Sequence, residues 1–141
     1  MNKAIKEKPQ YEKYDMMGGE PIKSHLIDNG GDPVAYIEVT YPETAKEFQR
    51  LQKEQYELFC RKQMDYGPSN ISMGTSLITD DEKRLSLVGL IVRINDKVQR
   101  LLNLIVKNNR KAQNEPTDDA FKDLACYGMI AQIVQNGKWG R

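Results

Sequence analysis

Residues 85–108 read LSLVGLIVRINDKVQRLLNLIVKN. Within them Leu87, Ile91, Ile94, Val98, Leu101 and Ile105 follow one another at intervals of 4, 3, 4, 3 and 4 residues. That rhythm tracks a 3.6-residue turn, so it predicts a long amphipathic helix with an apolar packing seam. Thr79 or Asp80 is the expected cap, and the helix is expected to run to about Asn108. Beside the seam runs a polar stripe, Arg93, Asp96, Arg100 and Asn103, at intervals of 3, 4 and 3.

Working outward, the chain before this helix contains Asp65-Tyr66-Gly67-Pro68-Ser69-Asn70. Gly67 permits a positive φ, and Pro68 keeps its predecessor out of the helical region, so this stretch stops an earlier helix. That helix is expected over about residues 43–64, with Phe48, Leu51, Leu58 and Phe59 as its apolar residues. Pro42 suits its start, and Glu43 and Glu47 sit at the positive end of its dipole. Ahead of it, Val34 to Tyr41 (VAYIEVTY) is β-branched and aromatic and reads as a short strand or an extended lead-in. Residues 1 to about 32 are polar and broken by glycines, and read as an arm of low intrinsic order carrying the single His25.

After the long helix, Thr117 opens a last one with Asp118 and Asp119 in its first turn. Leu124 to Ala131 is apolar on nearly every face, as expected of a helix central to a bundle or inside an interface between copies. Asn136-Gly137 ends it, and Trp139 is a candidate anchor. The reading is therefore a mostly-α helical bundle with a short extended or β segment. A polar arm and lead-in occupy residues 1–42 and the helical domain occupies 43–141, with a second copy expected to complete the core.

The bulk numbers agree with one domain. A chain of 141 residues buries about two-thirds of its unfolded surface. Lys and Arg number 21 against 20 Asp and Glu, a net charge of +1, which argues against extended nucleic acid as a partner but not against a small anion. The sequence has no run of about 18 apolar residues and no apolar leader, so the expected setting is soluble and cytoplasmic, with no membrane partner. Cys60 and Cys126 lack metal or redox spacing and are expected to be buried free thiols.

Three groups carry potential chemistry. Glu54 and Glu57 share a helix face, as do Asp119 and Asp123, with Tyr127 four residues further on. Asp123 adjoins the apolar run, so it needs an ion-pair partner (Arg93 or Arg100) or a cation. Carboxylates meeting from adjacent helices suit Mg²⁺, which wants hard oxygen ligands and substrate phosphates. The Arg93, Asp96, Arg100 and Asn103 stripe has the inventory for a phosphate or a base edge, although a surface row of ion pairs explains it equally well; Lys97 and Lys107 flank it as steering charges. Tyr66, Ser69 and Asn70 on a rigid turn offer a seat for a nucleobase. No Gly-rich phosphate loop, nucleophile elbow or zinc motif is present.

The blocks KQMDYGPSN (62–70), LVGLIVRINDKVQRLLNL (87–104) and NEPTDDAFKDLACYGMIA (114–131), in this order, resemble the phage nucleotide-modification-associated domain family. The resemblance spans about residues 43–139 and rests on three motifs. These are the Asp65-Tyr66-Gly67 turn, the helix bearing Arg93, Asp96, Lys97, Arg100 and Leu101, and the late Asp123-Leu124-x-x-Tyr127. That family is similar in turn to the all-α nucleoside triphosphate pyrophosphatases of the MazG and dimeric dUTPase kind. Their Glu-x-x-Glu matches Glu54 and Glu57, and the last Asp of their Glu-x-x-Asp matches Asp123. The Glu expected three residues before it is Ala120 here, with Asp119 one position earlier.

The resemblance implies a Mg²⁺-dependent nucleoside triphosphate pyrophosphohydrolase serving nucleotide-pool or DNA-modification metabolism. Glu54, Glu57, Asp96, Asp119 and Asp123 would hold metal, with Asp123 and Glu57 catalytic. Tyr66, Ser69, Asn70, Arg93, Lys97, Arg100, Asn103 and Tyr127 would bind nucleotide. The Ala120 departure leaves open a non-catalytic binder that sequesters a nucleotide, for example a signalling nucleotide of host defence. A purely structural bundle is the third reading.

Overall fold

The structure is a computed structural model that describes residues 31–109 and 111–141. The expected polar arm, with His25, lies outside the described residues but for its last two positions. All regular structure among the described residues is helical, and none of these helices is long and apolar enough to cross a membrane. Two compact units divide the chain after Arg50.

In the first unit, α1 (Pro33–Thr40) replaces the strand or extended lead-in expected there. The local chemistry explains the difference. Asp32 adopts an extended conformation and accepts a hydrogen bond from the Val34 amide at 3.0 Å, and Pro33 occupies the first turn. A capping carboxylate and a pre-set φ outweigh the β preference of Val34, Ile37 and Val39. α2 (Pro42–Tyr66) follows. Gln49 donates to Glu38 at 2.9 Å, tying the start of α2 to α1.

In the second unit, α2 ends as the sequence requires: Gly67 has φ +62° and its amide returns to the Gln63 carbonyl at 2.9 Å. The chain then makes one short helix, α3 (Ser69–Ser72), rather than an open turn. α4 (Asp80–Leu101) starts at Thr79, which forms a capping box with Glu82. Residues Leu102–Lys107 continue it as a π-helix closed by the Asn108 side chain, which donates to the Asn103 carbonyl at 2.8 Å. α5 (Thr117–Gln135) completes the set and packs against α4.

The core is small. Ile71, Leu77, Leu90, Ile130, Val134 and Trp139 form it, with Phe59, Leu87, Cys126 and Tyr127 packed against its edge. Trp139 is the anchor the sequence suggests. Its indole N–H donates to the Pro68 carbonyl at 3.0 Å, and its ring meets Phe59 edge-on at 6.1 Å. Ser86 holds the same segment from the other side, donating to the Ile71 carbonyl at 2.6 Å.

The apolar seam of α4 is placed differently from expectation. Ile91, Val98 and Ile105 are exposed, while the line facing α5 and α3 is Ser86, Leu90 and, in the π-helix, Leu104. Leu87, Ile94 and Leu101 lie half-buried between the two faces. The thiols also differ from expectation: both are free, but Cys60 is exposed and Cys126 only half-buried.

Candidate functional site

Asp123 is the convergence point of three helices. On α5 it accepts from Lys97 of α4 at 2.8 Å and from Lys62 of α2 at 3.1 Å, one ammonium to each carboxylate oxygen. The Asp123 side chain is 16% exposed, so the carboxylate is largely withdrawn from water and its partners are close. Burial pushes its pKa up, but the hydrogen bonds and charges of Lys97 and Lys62 outweigh burial and hold it below the ordinary carboxylate value. The Lys97 ammonium is held above its ordinary value, chiefly by its hydrogen bond to Asp123. Partial burial opposes charge on Lys62, yet the same carboxylate raises its pKa as well.

The partners are not those anticipated. Arg93 and Arg100, the expected ion-pair candidates, are engaged elsewhere. Arg93 donates to the Asn70 carbonyl at 2.9 Å. Arg100 donates to the carbonyls of Glu115 and Pro116, tying down the loop that leads into α5. Lys97 was legible only as a charge flanking the polar stripe and as a phosphate contact implied by the family resemblance. Lys62 carried no signal of its own, because only the tertiary approach of α2 to α5 brings it to Asp123. That approach is also marked by Gln55, whose side chain donates to the Lys122 carbonyl at 2.7 Å.

A second feature lies one turn earlier on α4. Arg93, Ser86, Gly89, Asn70 and Met73 line a cavity of about 370 Å³ whose remaining wall is aliphatic. The Asn70 side-chain oxygen is buried without a hydrogen-bond partner. Gly89 leaves room for Met73: a Cβ there would stand 3.1 Å from the Met73 sulfur, which would have to give by a few tenths of an ångström. Neither Ser86, Gly89 nor Met73 was singled out from the sequence. Of the proposed base seat, Asn70 lines the cavity, whereas Tyr66 and Ser69 are exposed outside its lining. Tyr127 is half-buried against the core, and Asn103 is occupied in closing the π-helix.

No known protein family, curated protein or solved structure matches this chain.

The residues implied for Mg²⁺ are Glu54, Glu57, Asp96, Asp119 and Asp123. Glu54, Glu57 and Asp96 are exposed, Asp119 is half-buried, and both oxygens of Asp123 face ammonium groups. Among the described residues no three His, Cys, Asp or Glu side chains gather to hold a metal. As arranged in one chain, this donor set does not fit Mg²⁺. What the geometry offers instead is two ammonium groups gathered on one carboxylate. Each lysine carries three donors and Asp123 takes one from each, so an anion entering beside them meets N–H groups already oriented.

Proposed function

We propose that this chain binds a phosphorylated nucleotide, with Lys62 and Lys97 as the phosphate-facing cations and the Asn70–Arg93 cavity as the seat of the base or sugar. The observation that supports the reading is the convergence of two ammonium groups on the single carboxylate of Asp123. Two positive charges against one negative leave a local cationic excess in a chain whose overall charge is only +1. Arg93 precedes Lys97 by one turn, about 6 Å along the helix axis. A nucleoside in the cavity would therefore direct its phosphates toward the lysines. A cavity of about 370 Å³ lies in the size range of small-ligand sites. A protein built this way acts by holding the nucleotide, for example by withdrawing a signalling nucleotide from a defence pathway.

The hydrolytic reading keeps one specific support. The Gln55 side chain donates to the carbonyl of Lys122, the residue before Asp123, at 2.7 Å. The Glu54–Glu57 turn of α2 thus lies along the stretch of α5 that carries Asp123. Pyrophosphohydrolysis would require Asp123 to exchange ammonium partners for Mg²⁺.

Calorimetric titration with a panel of ribo- and deoxyribonucleotides in the presence of EDTA tests the first reading, and pyrophosphate release after adding Mg²⁺ tests the second. Asp123→Ala separates them. A binder loses the carboxylate that competes for its lysines and binds nucleotide more tightly, whereas a hydrolase loses turnover. No binding by the wild-type chain in either condition sinks both.

A further inference from the structure

We propose that α4 is the contact surface for a second copy of this chain, with the two Asn95 side chains facing each other on a two-fold axis. Val88, Ile91, Asn95 and Val98 on the exposed face of α4, and Leu102 at the start of the π-helix, follow at intervals of 3, 4, 3 and 4 residues. That is the heptad rhythm of a helix that packs lengthwise on another helix. Within one chain the stripe stays open: Val88 is 51% exposed, Ile91 62% and Val98 38%, while Leu102 is half-buried. Val106, 71% exposed, lies about one turn further along the wider π-helix.

Three observations select a second copy as the occupant. The first is Asn95, exposed at the middle of an otherwise apolar line. An amide both donates and accepts, so its least costly partner in a dry seam is the same amide rotated by a two-fold axis. A single Asn at such a position is how paired helices fix register and copy number. The second is charge. The residues flanking the stripe on either side, Leu87, Val92, Ile94, Gln99 and Leu101, are all uncharged, so two identical faces approach without like-charge repulsion. The third is area. Eight hydrophobic residues are buried and twenty large ones are exposed among the described residues. That surplus of open apolar side chains is what a second copy laid along the stripe would cover.

Val88 and the flanking Val92 also line the cavity assigned above to the nucleoside, but this inference is read from mass and cross-linking and not from nucleotide binding. Light scattering behind size-exclusion chromatography of the full chain is expected to give twice the 16.2 kDa of one copy. Ile91→Glu and Val98→Glu are each expected to return it to a single copy with unchanged far-ultraviolet circular dichroism, since both side chains are exposed and neither is needed to fold the monomer. Asn95→Cys in a Cys60→Ser background is expected to form a disulfide-linked dimer on mild oxidation, and Asp96→Cys in the same background is not. A wild-type monomer overturns the proposal. A dimer that survives both glutamate substitutions, or one that Asn95→Cys does not cross-link, places the contact on another face and overturns it equally.

Discussion

Lys97 reaches the Asp123 carboxylate at 2.8 Å although it sits on the buried side of α4, between Leu90 and Leu104. A cation partly withdrawn from water gains from a carboxylate held against it. Removing either partner is therefore expected to be worse than removing both. Asp123→Ala leaves two ammonium groups facing each other, and Lys97→Ala leaves the carboxylate to Lys62 alone. A double-mutant cycle by urea denaturation should return a coupling of about 1 kcal/mol, the scale of a partly exposed ion pair. A coupling indistinguishable from zero means that the pair adds nothing to stability.

The same cluster fixes the sign of the pH dependence. Asp123 has a folded-state pKa below its unfolded value, so its contribution is present above the unfolded value, about 4, and is lost as pH falls through the lower folded value. Lys97 and Lys62 have raised folded-state pKa values. Their contribution is full below the unfolded value, about 10.4, and is lost as pH rises through the folded one. Urea midpoints measured against pH should show a plateau between the two limbs. In Asp123→Ala both limbs should flatten relative to wild type. Identical limbs in the two proteins would remove the cluster from the account.

The start of α4 offers a test of local chemistry. Thr79 accepts from the Glu82 amide at 3.2 Å, and the Glu82 carboxylate accepts from the amides of Ile78 at 2.8 Å and Thr79 at 3.1 Å. Those backbone bonds lower the Glu82 pKa. Thr79→Ala is expected to cost about 1 kcal/mol of unfolding free energy, and Thr79→Ser close to nothing. Equal stability of Thr79→Ala and wild type would show that the cap is not used.

Much of this architecture was legible because its signals are local. The Thr79 cap, the Gly67 stop, the Thr117 start and the Asn136-Gly137 end each depend on residues within one turn. The position of the core line on α4 was not legible. Its apolar residues cover more than half of the circumference, so periodicity alone admits two faces, and the choice of Leu90 over Ile91 depends on α5 and on the Pro68–Ser72 segment. The α1 segment misled for the opposite reason: side-chain propensity pointed to a strand, while one capping carboxylate decided for a helix. At the site, Asp123 could be found from the sequence because a carboxylate bordering an apolar run demands a partner. Lys62 is 61 positions away and exposed on its own helix, so nothing local marked it.

Trp139 is the only tryptophan and, among the described residues, one of the few large side chains that are buried. Its ring closes the core against Phe59, and its N–H holds Pro68, next to the turn that supplies Asn70 to the cavity. Trp139→Ala is expected to cost about 3–5 kcal/mol, as for other buried aromatic truncations. Trp139→Phe keeps most of the apolar contact and loses the hydrogen bond, about 1 kcal/mol. Chemical denaturation followed by circular dichroism measures both. A loss under 1 kcal/mol in Trp139→Ala would mean that the C-terminal residues are not docked.

Arg93 links the fold to the proposed ligand, because its guanidinium both holds the Asn70 carbonyl and lines the cavity. A lysine keeps the positive charge but loses the planar fork that reaches two acceptors in fixed directions. If the guanidinium orients a nucleotide, Arg93→Lys should weaken nucleotide binding about tenfold, roughly 1.4 kcal/mol, with a smaller change in stability. Lys97→Ala should weaken it at least as much and should reduce its dependence on salt, since a phosphate-facing cation has been removed. A nucleoside without phosphates should be insensitive to Lys97→Ala and still sensitive to Arg93→Lys. That crossed pattern, read by calorimetry at two salt concentrations, assigns the cavity to the nucleoside and the lysines to the phosphates. Equal losses for nucleoside and nucleotide in both variants would remove the division of labour between them.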